Sequence, residues 1–211
     1  MPNRPIPGFK AKYVPSKKLI AYMLRREGIV LVPYRDNKGW SVLAGHYLGG
    51  EGEPHPPPTG LQELTITKAL SLMVKDVNER AKLVNKYIKV PIQQHQFDTL
   101  VTLLYQGGTD GLKAVTEIIN QRDVINHDSV LTSNREAARE LLNWDTDNSG
   151  KHLEGLLMRR GREVAMFTAA EYGSDIYSIP YWNGVDPETG KVRKEDIRWY
   201  DLKIEDIPDE Q

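Results

Sequence analysis

The apolar residues of this chain change period twice within its first fifty positions, and the changes outline its elements. Between Pro15 and Gly28, Ile20, Met23 and Leu24 recur at helical spacing, which predicts a short helix with Ser16 as N-cap and Gly28 just past its end. Residues 29–34 are then a β-favouring run, 35–39 are turn chemistry, and 40–44 resume an apolar stretch, so a β-hairpin is predicted. Helical spacing returns at Ala69, Leu72, Met73 and Val77 within 65–88, a long connecting helix. Further helices are expected over 93–106, 112–121, 135–144 and 153–171, and no internal repeat is visible. Residues 49–60, rich in Gly and Pro, carry no period and read as a loop free to rim a groove. A small helix, a hairpin, a connecting helix and a helical bundle make an α+β domain, with a cleft expected between its two lobes.

The first stripe continues onto a carboxylate, Glu27. A carboxylate continuing an apolar stripe loses water, which raises its pKa at about 1.36 kcal/mol per unit and suits it to donate a proton near neutral pH. A buried Glu paired with an Arg for structure alone is the plainer alternative. Nine residues on, Asp36 lies at the hairpin turn, where it can fold back opposite the helix end. Asp before Asn and Gly is also ordinary turn punctuation. Together, one dry carboxyl and one wet carboxylate across a cleft match the division of labour in glycosidic bond hydrolysis.

The sequence Glu27-Gly-x-x-Leu-x-x-Tyr-x-Asp36-x-x-Gly39, followed by Ser41-Val-Leu-Ala-Gly45-His46, resembles the active-site segment of the phage-type lysozymes, glycoside hydrolase family 24. Three later stretches are similar to that family in the same order. They are Gln96-Phe97-Asp98 through Val101 with Tyr105-Gln106-Gly-Gly108, then Trp144, then Gly155-Leu-Leu-Met-Arg159-Arg160-Gly-Arg162-Glu163. The likeness spans roughly residues 17 to 173. It implies a lysozyme-like fold with Glu27 as the acid, Asp36 as base or electrostatic partner, and Ser41 as the hydroxyl that orients water. It further implies that His46 pairs with Asp76 as a structural tie, that Arg159 pairs with Glu27, and that Gln106 and Trp144 line the cleft. Core packing alone also accounts for Trp144, and a solvated face for Arg159. Two departures stand out. Ser41 replaces the family's threonine and lacks the methyl that stiffens its rotamer. The segment from Asp36 to that hydroxyl is one residue shorter, with Leu43 and Ala44 where Gly and an aromatic are common, and one residue changes the face a strand side chain meets.

Composition narrows the chemistry. With 211 residues and no Cys, the chain can bury one good core and offers no disulfide, thiolate nucleophile or thiolate zinc site. Its His residues, at 46, 55, 95, 127 and 152, hold no pair at helical ligand spacing, so neither a metal nor another cofactor is expected. No apolar run approaches membrane-spanning length, and the first ten residues lack the apolar core of a secretory signal. The basic residues are scattered and the net charge is −1, which argues against a nucleic-acid partner.

That near-neutral total hides an asymmetry. Residues 1–173, taken as the catalytic domain, hold 23 basic and 19 acidic groups, while residues 174–211 hold 5 basic and 10 acidic. The acidic extension also carries Tyr177, Tyr181, Trp182, Trp199 and Tyr200, whereas disordered acidic segments are poor in aromatics. A docked extension is expected, with a hairpin turn near Pro187–Lys191 and aromatic faces available to a sugar.

The resemblance implies a monomeric muramidase that cleaves the β-1,4 bond between N-acetylmuramic acid and N-acetylglucosamine in bacterial peptidoglycan during phage-induced lysis. It implies an enzyme held in the host cytoplasm until a holin opens the membrane, with a virion-borne lysozyme as the alternative. Two other functions stay open at this point: a lytic transglycosylase, and a non-catalytic wall-binding or virion structural protein.

Overall fold

The computed structural model describes residues 8–36, 39–50, 63–146, 149–173 and 177–209. Most of the Gly/Pro-rich loop and the hairpin tip at 37–38 lie outside them. The fold is α+β, with five helices and two three-stranded sheets among the described residues. They fall into two compact units: Met1–Ser16 with Asn78–Tyr172, and Lys17–Val77 with Gly173–Gln211.

In the second unit, α1 (Lys17–Glu27) buries Leu19, Ile20, Ala21, Tyr22, Met23 and Leu24. Burial extends around the helix beyond the stripe, as expected of an element with so few polar residues before its last turn. Each large apolar side chain removed from water contributes about 1.5–3 kcal/mol. The helix stops at Gly28, whose N–H donates to the Leu24 carbonyl at 2.8 Å and whose φ is +76°. Glycine adopts that conformation at little cost.

The run after Gly28 divides instead of forming one hairpin arm. Pro33 has no N–H to give a ladder and lies between two short strands, β1 (Ile29–Val30) and β2 (Tyr34–Arg35). Only β2 belongs to the hairpin, pairing antiparallel with β3 (Trp40–Val42), with Tyr34 opposite Ser41. A third strand, β4 (His46–Gly49), extends that sheet. The β3–β4 register slips between Trp40, opposite Gly49, and Ser41, opposite Tyr47, leaving Leu48 as the extra residue of a bulge.

Strand β1 joins another sheet. It runs parallel to β5 (Tyr177–Trp182), with Ile29 opposite Tyr181 and Val30 opposite Trp182, and β5 pairs antiparallel with β6 (Arg198–Leu202). The extension is thus hydrogen-bonded into the strand that follows Glu27, and α1 also packs on β5. Val30 and Leu43 exchange both backbone hydrogen bonds, at 3.3 and 2.8 Å, which ties the two sheets together.

In the first unit, α3 (Gln94–Asn120), α4 (His127–Leu142) and α5 (Glu154–Ala169) pack on one another around Phe97, Leu100, Val115 and Phe167. The helices expected over 93–106 and 112–121 form one element broken at Gly108 (φ 71°, ψ −164°). Helix α4 begins well before residue 135, because Asn126 caps it by accepting from the Ser129 N–H at 3.1 Å. The boundary between the units falls inside α2 (Ile66–Tyr87), and no helix of the described residues is long and apolar enough to cross a membrane.

Candidate active site

Glu27 is the last residue of α1, and the turn at Gly28 leaves its side chain half-buried, facing a cavity of about 410 Å³. The stripe reading aimed this carboxyl at the core. The helix stops just after it, as its capping residues predict, and leaves it at an opening, half-buried and not dry, next to the exposed Arg25 and Arg26. Val30 and Tyr34 line the same cavity, as do Leu43, Ala44 and Gly45 of the β3–β4 turn. Trp182, Val192 and Lys194 close the rest of the wall.

Asp36 follows β2 and is held by its own turn. Its N–H donates to the Gly39 carbonyl at 3.0 Å, and Oδ1 accepts from the Gly39 N–H at 3.1 Å. The other carboxylate oxygen, Oδ2, accepts the Ser41 hydroxyl proton. Ser41 is fully buried, so its hydroxyl acts first on Asp36, fixing the carboxylate beneath the turn. The short connection leaves the β2–β3 register regular, with Arg35 opposite Trp40 and Tyr34 opposite Ser41. Arg35 stacks over the buried Trp40 ring, 5.7 Å from its centroid.

Tyr34 links the two acids. Its phenol is pushed above the usual tyrosine range, first by burial and then by the negative charges of Asp36 and, more weakly, Glu27, while a hydrogen bond from the Gly45 N–H opposes the shift. Both carboxylates therefore lie within electrostatic reach of one phenolic oxygen. Tyr34 stands in the motif quoted from the sequence but was not singled out there, since its role depends on which way β2 faces.

His46 Nδ1 lies 3.0 and 2.8 Å from the two carboxylate oxygens of Asp76, joining β4 to the first half of α2. The remaining sequence candidates are in the other unit. Gln106 is exposed on α3. The Trp144 indole N–H donates to Glu140 at 3.0 Å, and its ring packs so near Gly111 that a Cβ there would approach it to 3.0 Å. Arg159 is half-buried on α5, next to Arg160, whose guanidinium pairs with Glu163 and donates to the Trp144 carbonyl at 3.0 Å. Arg160 and Glu163 are both buried. Among the described residues no group of three or more His, Asp or Glu side chains is placed to hold a metal ion.

Trp182, Val192 and Lys194 were not read from sequence as part of this cavity. The aromatic content of the extension was visible, but parallel pairing over some 150 positions leaves no local pattern.

Comparison with known proteins gives a consistent picture. Residues 25–163 match the family model described as phage lysozyme. The endolysin of Bacillus phage B103 is 32% identical over 148 residues, covering 70% of this chain and 49% of that protein. The chain thus spans about half the length of that relative. The SAR-endolysin of Enterobacteria phage P21 is 32% identical over 151 residues, 67% of this chain and 78% of that protein. Among solved structures, the endolysin from Escherichia coli O157:H7 phage FAHEc1 superposes with a TM-score of 0.62 at 24% identity, covering 79% of this chain and all of that one, which speaks to the fold.

Proposed function

Because the chain belongs to the phage lysozyme family, we propose that it hydrolyses bacterial peptidoglycan, cleaving the β-1,4 bond between N-acetylmuramic acid and N-acetylglucosamine during phage-induced host lysis. In this reading Glu27 protonates the leaving glycosidic oxygen. Asp36 draws a proton from a water on the opposite face of the sugar, or stabilises the positive charge that develops there. Ser41 is a positioning residue that acts through Asp36, since its hydroxyl proton is already given to that carboxylate.

The observation that supports this most is the pair of unlike carboxylates about one phenol. Glu27 lines the cavity at a helix end, Asp36 is braced by a serine hydroxyl and a backbone N–H, and both charges act on Tyr34. A second carboxylate so firmly held favours hydrolysis over a transglycosylase reaction, which needs the acid but no positioned water. Direct attack by water predicts inversion, with the carboxyl groups about 6.5–9.5 Å apart in the substrate complex. Delivery through a membrane lesion made by a separate holin belongs to the same proposal.

Mass spectrometry of digested sacculi tests the reading. Fragments ending in a reducing sugar are expected, and the α anomer should appear first by NMR. Anhydro-sugar ends would replace hydrolysis with transglycosylation. Intact sacculi after binding would leave a wall-binding protein.

A further inference from the structure

We infer that Trp182 and Lys194 form a specificity wall of the Glu27 cavity, built by the C-terminal extension to receive a sugar unit that carries a carboxylate. The inference rests on the saccharide reading above and names the substrate class that this part of the cavity selects. Residues 177–202 lie outside the segment that matches the family model, which ends at 163.

The extension is attached to the site at several points. Trp182 faces Val30 in the parallel β1–β5 pair, and its carbonyl accepts from the Leu31 N–H at 2.8 Å. Farther on, the Gly190 carbonyl accepts from the Arg35 N–H at 2.8 Å, one residue before Asp36. That second contact stands on an ordered turn, in which Asp186 accepts from the N–H groups of Glu188 and Thr189 at 3.0 and 2.8 Å. The Asp186 carbonyl also accepts from the Gly190 N–H at 2.8 Å. The extension therefore grips the chain just after the proposed acid and just before the proposed base.

The Trp182 ring is pinned. Its indole N–H donates to the Arg193 carbonyl at 3.0 Å, and a Cβ on Gly28 would stand 2.7 Å from its Cζ3. Only glycine next to Glu27 lets the ring lie this close. A fixed, half-buried aromatic beside a proton donor offers apolar surface to the C–H face of a pyranose, with little conformational freedom left to lose on binding.

Lys194 supplies the charge. The neighbouring Arg193 is engaged with Asp196 at 2.8 Å, whereas Lys194 is exposed on the cavity wall and has no ion-pair partner among the described residues. An aromatic platform with an uncommitted ammonium group suits an acidic saccharide better than a neutral one. The acid-bearing unit is then the one seated against the extension.

The test compares two soluble probes by titration calorimetry on the full chain carrying Glu27→Gln, so that binding is read without turnover. One probe is a neutral N-acetylglucosamine tetramer, the other a peptidoglycan tetrasaccharide with free lactyl carboxylates. Adding Lys194→Gln should weaken the acidic probe about threefold to fivefold more than the neutral one, the range of an exposed ion pair. Adding Trp182→Ala should weaken both about tenfold, and Trp182→Phe, which keeps an aromatic face, should restore most of the affinity. In the active chain, Lys194→Gln should appear mainly in KM on the acidic substrate, with kcat little altered. Equal weakening of both probes by Lys194→Gln, or no effect of either Trp182 variant, overturns the wall. Tight, Lys194-dependent binding of the acidic probe by a chain that never cleaves it keeps the wall and rejects the hydrolase. Cleavage indifferent to both residues does the reverse.

Discussion

The helical unit and the sheet-containing unit treat carboxylates in opposite ways. In the former, Asp98 is fully buried on α3 and Glu163 fully buried on α5, each saturated with partners. Asp98 accepts the hydroxyls of Ser16 and Tyr172 at 2.5 and 2.6 Å, the Ser16 N–H at 3.2 Å and Gln94 at 2.9 Å, and Glu163 is clasped by Arg160. Burial pushes both acids above the usual carboxylate range despite those partners. In the sheet-containing unit, Glu27 and Asp36 are only half-buried, and Glu27 lies at an opening. Among the described residues, Asp98 and Glu163 are the driest carboxylates, and both serve packing, so dryness alone does not nominate a catalytic acid.

The contrast is sharpest under substitution. Glu27→Gln should lower the rate of sacculus lysis by about 10²–10⁴, the usual contribution of a general acid, with the thermal midpoint nearly unmoved. A variant that lyses at the parental rate removes Glu27 from the mechanism. Glu163→Ala should do the opposite, costing about 3–5 kcal/mol in urea unfolding because Arg160 is left buried and uncompensated. If Glu163→Ala unfolds like the parent, the buried pair is not holding the helices.

Asp98 gives a smaller effect with a definite sign. Its folded pKa is raised, so its contribution to stability is complete below the unfolded value, about 3.9, and is lost as pH climbs through the folded one. Asp98→Asn, which keeps the neutral form, should therefore gain stability relative to the parent across that interval. Denaturation midpoints of the two proteins from pH 3.5 to 8 read this directly, and a relative loss in the same interval contradicts it.

The smallest effects concern backbone strain. Leu43 and Ala170 are the non-glycine residues of the described chain with positive φ, 59° and 56°. A side chain in that conformation costs about 1–2 kcal/mol. Leu43 is 1% exposed, and its burial, about 1.5–3 kcal/mol, more than offsets the strain. Ala170, capping α5, is exposed and has no such compensation. Leu43→Gly should accordingly destabilise by about 1–2 kcal/mol, whereas Ala170→Gly should stabilise by a few tenths, once the freer unfolded chain is counted. Matching signs in the two thermal midpoints would remove the distinction.

Periodicity alone located α1, α2 and α5 to within a residue or two, because each combines an apolar stripe with a recognisable stop. The long α3 was read as two helices, since Gly107-Gly108 looks like a boundary and the chain does depart from helical geometry at Gly108. Residues 29–34 were read as one strand because β-propensity carries no information about partners. Pro33 divides them, and the first half is claimed by β5. Of the candidate site, Glu27, Asp36 and Ser41 were nominated from sequence because a local motif carries them. Trp182 and Lys194 were not, because only the tertiary pairing of distant strands brings them to the cavity. The depth at which Ser41 lies was equally hidden, since burial depends on what packs over β3.

The parallel pairing of Ile29 with Tyr181 also bears on when the protein becomes competent. Translation delivers the N-terminal helix and the hairpin long before the strand that completes their sheet, and closing so long a loop must await synthesis past residue 182. A nascent chain, or one truncated before that point, would carry Glu27, the proposed proton donor, beside an incomplete cavity. Ribosome-bound intermediates are thereby kept unfinished until the β5 strand has emerged.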